Sequence, residues 1–139
     1  MILLDTNVIS ALMRQTPEEE VVRWLDRQPR TSIWTTSITV FEIRFGLQVM
    51  VAGKRCSLLL SAFDRVVNEL IEQRVASFDH AAAEYTADLM AARQKNGQTG
   101  ELRDTMIAGI TLATHARLAT RNVRHFEEIA SSLINPWEP

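Results

Sequence analysis

The residues of this chain best suited to chemistry are polar groups that stand where apolar runs end. Asp5 closes the opening MILL and is followed by Thr6 and Asn7, Glu42 lies in TSITVFE, Asp104 opens DTMIAG, and Asn122 follows RLATR. Each stands just after an expected strand or at the beginning of an expected helix. Two readings share those positions. Asp, Asn, Ser and Thr at helix starts accept hydrogen bonds from unpaired backbone N–H groups, each cap contributing about 1 kcal/mol. Thr39 and Glu42 have capping-box spacing, and Asp79 ahead of HAAAEY reads as a plain cap. The other reading is topological. In an open parallel sheet the carboxyl ends of neighbouring strands face one crevice where the strand order reverses. If the strands involved are neighbours, Asp5, Glu42 and Asp104 converge there.

Clustered carboxylates raise one another's pKa and are tolerable only beside positive charge. All-oxygen donors suit a hard divalent cation such as Mg2+ or Mn2+. Such an ion lowers the pKa of bound water and clamps a phosphate oxygen, which is the chemistry of phosphodiester hydrolysis. Zinc fits less well, because His80, His115 and His125 show no paired spacing. His115 is expected to meet a helix dipole instead. No nucleophile competes: Ser10, Ser37 and Cys56 lack a histidine partner by pattern, and no Gly-rich phosphate loop is present. Asp5 also lacks the second Asp two residues on that an aspartyl-phosphate hydrolase needs.

The elements that must position these groups follow from pattern. MILLD reads as a strand buried on both faces, with a short helix over NVISALMR. TPEEEVVRWLDRQ begins with Thr16 as N-cap and Pro17 at the first helical position. SIWTTS (32–37) is a second strand, β-branched and aromatic. A helix from about Val40 to Ala52 ends at Gly53 as C-cap. Residues 58–73 form an amphipathic helix, and RVASF (74–78) is a third strand. AAAEYTADLMAARQK is a helix ending at Asn96-Gly97, and DTMIAGITLATHA (104–116) is another. RLAT (117–120), RHFEEIAS and LIN (133–135) are strand, short helix and strand. This alternation implies one domain over 1–139, a three-layer α/β/α sandwich around a short, mostly parallel sheet.

Composition bounds the rest. The 46% hydrophobic and 23% charged fractions are those of a soluble globular chain. A single cysteine excludes an internal disulfide and a cysteine-cluster zinc site. Neither a signal peptide nor a membrane-spanning run is visible, so a cytoplasmic protein without membrane contact is expected. Fifteen basic and seventeen acidic residues give a net charge of -2, so nucleic-acid binding needs a local basic patch.

Taken together, MILLDTNVIS, TTSITVFEIRFGL, RDTMIAGITLA, LATRNVRHF and the closing INPW resemble a PIN-domain ribonuclease. The likeness is greatest to the VapC toxins of bacterial toxin–antitoxin pairs, in their FitB-like branch, and it runs along nearly the whole chain. The resemblance implies a Mg2+- or Mn2+-dependent endoribonuclease toxin, neutralised by a small cognate DNA-binding antitoxin of the VapB kind, and usually a homodimer. It maps Asp5, Glu42 and Asp104 as metal ligands and catalytic acids. Thr6 and Asn7 then support Asp5 or a bound water. One departure matters: such enzymes often carry a fourth acid where this chain has Asn122. An amide ligates weakly and adds no charge, so one tightly held ion is expected, with Glu101 as a possible compensation.

Arg44, Arg103, Arg121 and Arg124 lie within a few residues of these acids. They are either solvated charges and salt bridges or a basic rim that grips RNA phosphates. Arg121 is the first choice, because it follows a strand end, and Thr120 beside it can bond a phosphate oxygen or a metal-held water. Residues 40–73 carry more apolar surface than a core helix needs, most of it expected in the core and the remainder free to form an antitoxin groove. Two other readings stay open: a catalytically weak PIN-like module acting through its partner complex, and a small metal-dependent phosphatase.

Overall fold

A computed structural model describes all of residues 1–139. Five parallel strands form one sheet in the order β3-β2-β1-β4-β5. They are β1 (Ile2–Leu4), β2 (Ile33–Thr36), β3 (Val75–Ala76), β4 (Arg117–Ala119) and β5 (Leu133–Ile134). The strand expected over residues 1–5 therefore takes the centre, flanked by β2 and β4. All pairings are parallel, which sharpens the expected mostly parallel sheet.

The sandwich follows from the two-residue period of β1. Ile2 and Leu4 point into one core with Val8, Ile9, Val21, Trp24 and Phe63. Leu3 points into the other with Ile107, Ile110, Leu118 and Phe126. The first layer holds α1 (Thr6–Met13), α2 (Glu19–Asp26) and α4 (Lys54–Arg65); the second holds α5 (His80–Lys95) and α6 (Leu102–Thr114), while α3 (Ser37–Gln48) gives Ile43 and Leu47 to the first core and Ile38 to the second. Gly109 lets α5 and α6 approach closely, since a Cβ there would lie 2.0 Å from Thr86 Oγ1 and 2.7 Å from the Ala82 carbonyl. No helix is long and apolar enough to cross a membrane.

Several helix ends differ from expectation. The second helix is capped at Glu18 rather than Thr16, and starts after Pro17. Thr36, not Thr39, caps α3: its Oγ1 accepts from the Thr39 N–H at 3.1 Å, so the helix begins at Ser37. It closes at Val49, and Gly53 opens α4 instead of ending α3. The amphipathic stretch starts earlier than residue 58 and ends in a π-helical turn, Val66–Leu70. Glu101 caps α6 through the Asp104 N–H at 2.9 Å, so Asp104 is the third helical residue rather than the first. RHFEEIAS lies in a kinked 3₁₀ segment, Val123–Ser132. Asp79 is the expected cap, accepting from Ala82 N–H at 3.0 Å. His115 ends α6 in the left-handed conformation, φ 53°.

The apolar excess over 40–73 is less buried than expected, because one side of α3 and the turn after it face outward. Ile43, Leu47, Phe63, Val66 and Ile71 are core, while Phe41, Phe45, Val49, Val51 and Leu58 are exposed. The Phe41 and Phe45 rings stack on each other with centroids 6.2 Å apart.

Candidate functional site

The site grows from the carboxyl edge of the central strands. Leu4 pairs with Thr35 on β2 and with Ala119 on β4, which puts the next residue, Asp5, between the ends of both neighbours. Its N–H continues the ladder to the Ala119 carbonyl at 3.0 Å. Asp5 is 4% exposed, and a carboxylate buried that deeply must have its oxygens satisfied. Oδ1 accepts from the Thr6 N–H at 2.8 Å, the N-cap bond of α1. Oδ2 accepts from Thr120 Oγ1 at 2.8 Å and from Asn7 Nδ2 at 3.3 Å. Capping and a site role therefore coexist in one side chain.

Thr6 and Asn7 each turn outward from α1 toward a different neighbour. Thr6 Oγ1 donates to Glu42 Oε1 at 3.2 Å, joining α1 to α3. Asn7 Oδ1 accepts from the Arg121 N–H at 3.0 Å, and its Nδ2 lies 3.2 Å from Thr120 Oγ1. Because Thr36 caps α3, Glu42 is not consumed as a capping-box residue and its carboxylate faces Thr6.

Asp5, Glu42 and Asp104 lie within range of one another's charge although they sit on separate elements. Burial is the largest cause raising each carboxyl above its ordinary value. Thr120 and the Thr6 N–H pull Asp5 back down, while Asp104 adds to the rise. The Thr6 hydroxyl opposes the shift at Glu42, Asp5 and Asp104 raise it, and Arg103 lowers it. At Asp104 the His125 hydrogen bond opposes the shift, and Glu101 adds to it. As the side chains stand, no three acidic, imidazole or thiol groups close into a coordination shell. The acids interact through space without touching. The donor chemistry nevertheless fits a hard divalent cation: oxygen ligands only, each paying for a neighbour's charge that a cation relieves.

The remaining expected residues are placed as follows. Asn122 enters through its backbone, its N–H donating to Thr120 Oγ1 at 3.0 Å. Arg103 lies between Glu101 Oε1 at 3.4 Å and Glu42 Oε2 at 3.9 Å, the salt-bridge alternative for that residue. The Arg121 guanidinium stacks over Trp137, 4.8 Å from the ring centroid, while its backbone serves Asn7. Arg44 is exposed on α3. Glu101 is occupied as the α6 cap and as the Arg103 partner. Pattern reading missed two residues. His125 Nδ1 lies 2.9 Å from Asp104 Oδ2, and Arg93 is buried with two 2.8 Å bonds to Glu128 and a third to Thr105. No local spacing joins either pair. A polar cavity of about 650 Å³ opens beside Asp104, with Arg124, His125 and Glu128 among its walls.

The family description "PIN domain" matches residues 2–131. The chain belongs to the PIN-domain family. Among curated relatives, this PIN domain is 40% identical to the VapC ribonuclease Y4jK of Sinorhizobium fredii, over 100% of this chain and 99% of that protein. It is 32% identical to Toxin FitB of Neisseria gonorrhoeae, over 99% of each chain. Among solved structures, it resembles a chain of FitAB bound to an IR36 DNA fragment, with a TM-score of 0.86 and 32% identity. That match covers 100% of this chain and 97% of the other. The resemblance seen in MILLDTNVIS and its companion motifs is thus borne out along the whole fold.

Proposed function

We propose that this PIN domain is a Mg2+- or Mn2+-dependent endoribonuclease toxin held in check by a small antitoxin. One observation carries the reading: Asp5, Glu42 and Asp104, on three separate elements, share one field at the carboxyl edge of the sheet. A ribonuclease and a toxin among the relatives, each matched over nearly full length, support it. Asp5, Glu42 and Asp104 would hold the ion. Bound there, a divalent cation lowers the pKa of a water and offsets charge on a phosphate oxygen.

The chain's own residues do the positioning. Thr120, Asn7 and the Thr6 N–H fix both oxygens of Asp5, so the buried acid has one orientation. Thr6 Oγ1 holds Glu42 toward the same crevice. Arg124, exposed on the wall of the cavity beside Asp104, offers a guanidinium to the RNA phosphate that enters there. With Asn122 in place of a fourth acid, the chain holds one ion tightly.

A partner reading follows from a second surface. Met13, Leu58, Leu59 and Ala62 floor a groove of about 620 Å³ whose rim carries Arg14, Lys54, Arg55 and Arg65. An antitoxin segment with an apolar face and acidic flanks complements it. The relative solved as FitAB with a DNA fragment supports a DNA-binding antitoxin, and the exposed Phe41–Phe45 stack suits a second copy in a homodimer.

Purified protein incubated with RNA tests the activity. Cleavage is expected with Mn2+ or Mg2+, is expected to stop with chelator, and is expected to be absent in Asp104→Asn. Intact RNA at every metal concentration would overturn the reading in favour of a binding module. Phosphate release from small monoesters with RNA untouched would favour a phosphatase.

A further inference from the structure

We infer that His125 is a positioning residue for Asp104, orienting its carboxylate through a hydrogen bond. The inference rests on the proposed cation site and assigns that site a residue outside its acids. His125 Nδ1 lies 2.9 Å from Asp104 Oδ2, and the imidazole stands on the wall of the cavity beside it. An ionised carboxylate only accepts, so Nδ1 carries the proton and donates. That bond occupies Oδ2, fixes the plane of the carboxylate, and leaves Oδ1 for an ion. Carboxylates that bind metals are commonly oriented by such outer partners.

Stability does not explain the contact. The His125 side chain is 57% exposed, and exposed charged pairs contribute little to folding. The backbone, however, is built to put the ring there. Asn122 N–H donates to Thr120 Oγ1 at 3.0 Å, and the Asn122 carbonyl accepts from the His125 N–H at 3.0 Å. Phe126, 1% exposed, anchors the next residue in the core and breaks the 3₁₀ geometry with φ -128°. Thr120 at the start of the same turn donates to Asp5. One turn therefore grips the acid of α1 at its beginning and the acid of α6 at its end. Asn122 sits between them and acts through its backbone.

The test compares His125→Ala, His125→Asn and His125→Gln with the natural protein. Direct Mn2+ binding is followed by the electron paramagnetic resonance of the free ion, beside the melting temperature and RNA-cleavage kinetics. Asn can place its amide N–H where Nδ1 stands, whereas Gln reaches toward the Nε2 position. Mn2+ affinity in His125→Ala is expected to fall about tenfold or more, the loss typical of outer partners. The melting temperature of the ion-free protein should stay within a degree or two, kcat should fall, and KM should hold. His125→Asn should recover most of the affinity and His125→Gln little. His80, whose Nε2 lies 3.0 Å from Glu84 on the exposed face of α5, is the control pair, and His80→Ala should change nothing. Unchanged Mn2+ affinity in His125→Ala, or equal recovery by Asn and Gln, would overturn this inference alone. Failure of the natural protein to bind Mn2+ would overturn it together with the cation site.

Discussion

Thr120 Oγ1 donates to Asp5 Oδ2 at 2.8 Å across a separation of 115 residues. The hydroxyl is fully buried at the end of β4, and it also lies 3.2 Å from Asn7 Nδ2 and 3.0 Å from the Asn122 N–H. A single side chain thus joins the central strand, α1 and the turn that leads to His125. Thr120→Val keeps the shape and removes the donor. Asp5 Oδ2 would keep only the longer Asn7 bond and the Asn122 N–H would lose its acceptor, a cost of about 1–3 kcal/mol, so denaturant unfolding should show a loss of that order. Losing the bond that holds its charged form pushes Asp5 further above its ordinary value, so metal binding and RNA cleavage should fall together by roughly 10–100-fold. Thr120→Ser should restore both. A valine variant that is less stable yet cleaves normally would confine Thr120 to packing.

Glu42 separates capping from chemistry more sharply. A capping box accepts Gln as well as Glu, so the capping reading predicts little change in α3 for Glu42→Gln, and Thr36 already caps that helix. The carboxylate is instead raised by burial and by the charges of Asp5 and Asp104, so neutralising it relieves repulsion. Without metal, Glu42→Gln is expected to melt at or above the natural temperature, the 3.9 Å Arg103 pair being too long and exposed to matter much. RNA cleavage should drop by more than about 100-fold, beyond the loss typical of an outer partner. Calorimetry beside a cleavage assay measures both, and destabilisation with activity retained would return Glu42 to a structural role.

Much of this was legible in the chain because its signals are local. The apolar run MILL and the β-branched IWTT could only be buried strands, and Asp5 stands directly after the first of them. The convergence of Asp5, Glu42 and Asp104 depends on β1, β2 and β4 being neighbours, which the alternation of elements left as a condition and the observed strand order supplies. What escaped was decided by partners distant in sequence. His125 meets Asp104 across 21 residues and Arg93 meets Glu128 across 35, and no periodicity encodes either. Arg121 stacks on Trp137 from 16 residues away, a contact that no spacing announces. Gly53 reads as a helix end, yet it opens the next helix because Val49 had already closed α3.

The Arg93–Glu128 pair gives the fold an acid-sensitive tie with a predictable sign. Arg93 is 8% exposed, and its guanidinium passes so close to Gly100 that a Cβ there would lie 2.3 Å from Nη1. It reaches Glu128 through two 2.8 Å bonds and also bonds Thr105 next to Asp104. The Arg93 hydrogen bond holds the Glu128 carboxyl below its ordinary value, reinforced by the charge of Arg93 and opposed by burial. A carboxyl lowered on folding adds stability that is fully present above its unfolded pKa of about 4.3. That stability is lost as pH falls through the lower folded value. Glu128→Gln should therefore be less stable than the natural protein at pH 7, and the gap should narrow steadily below about pH 4. Acids that titrate in both proteins, Asp104 among them, cancel in the difference. Urea unfolding of the two proteins at a series of pH values measures it. A gap of constant size from pH 7 to pH 3 would mean that the bonds matter through shape and not through charge.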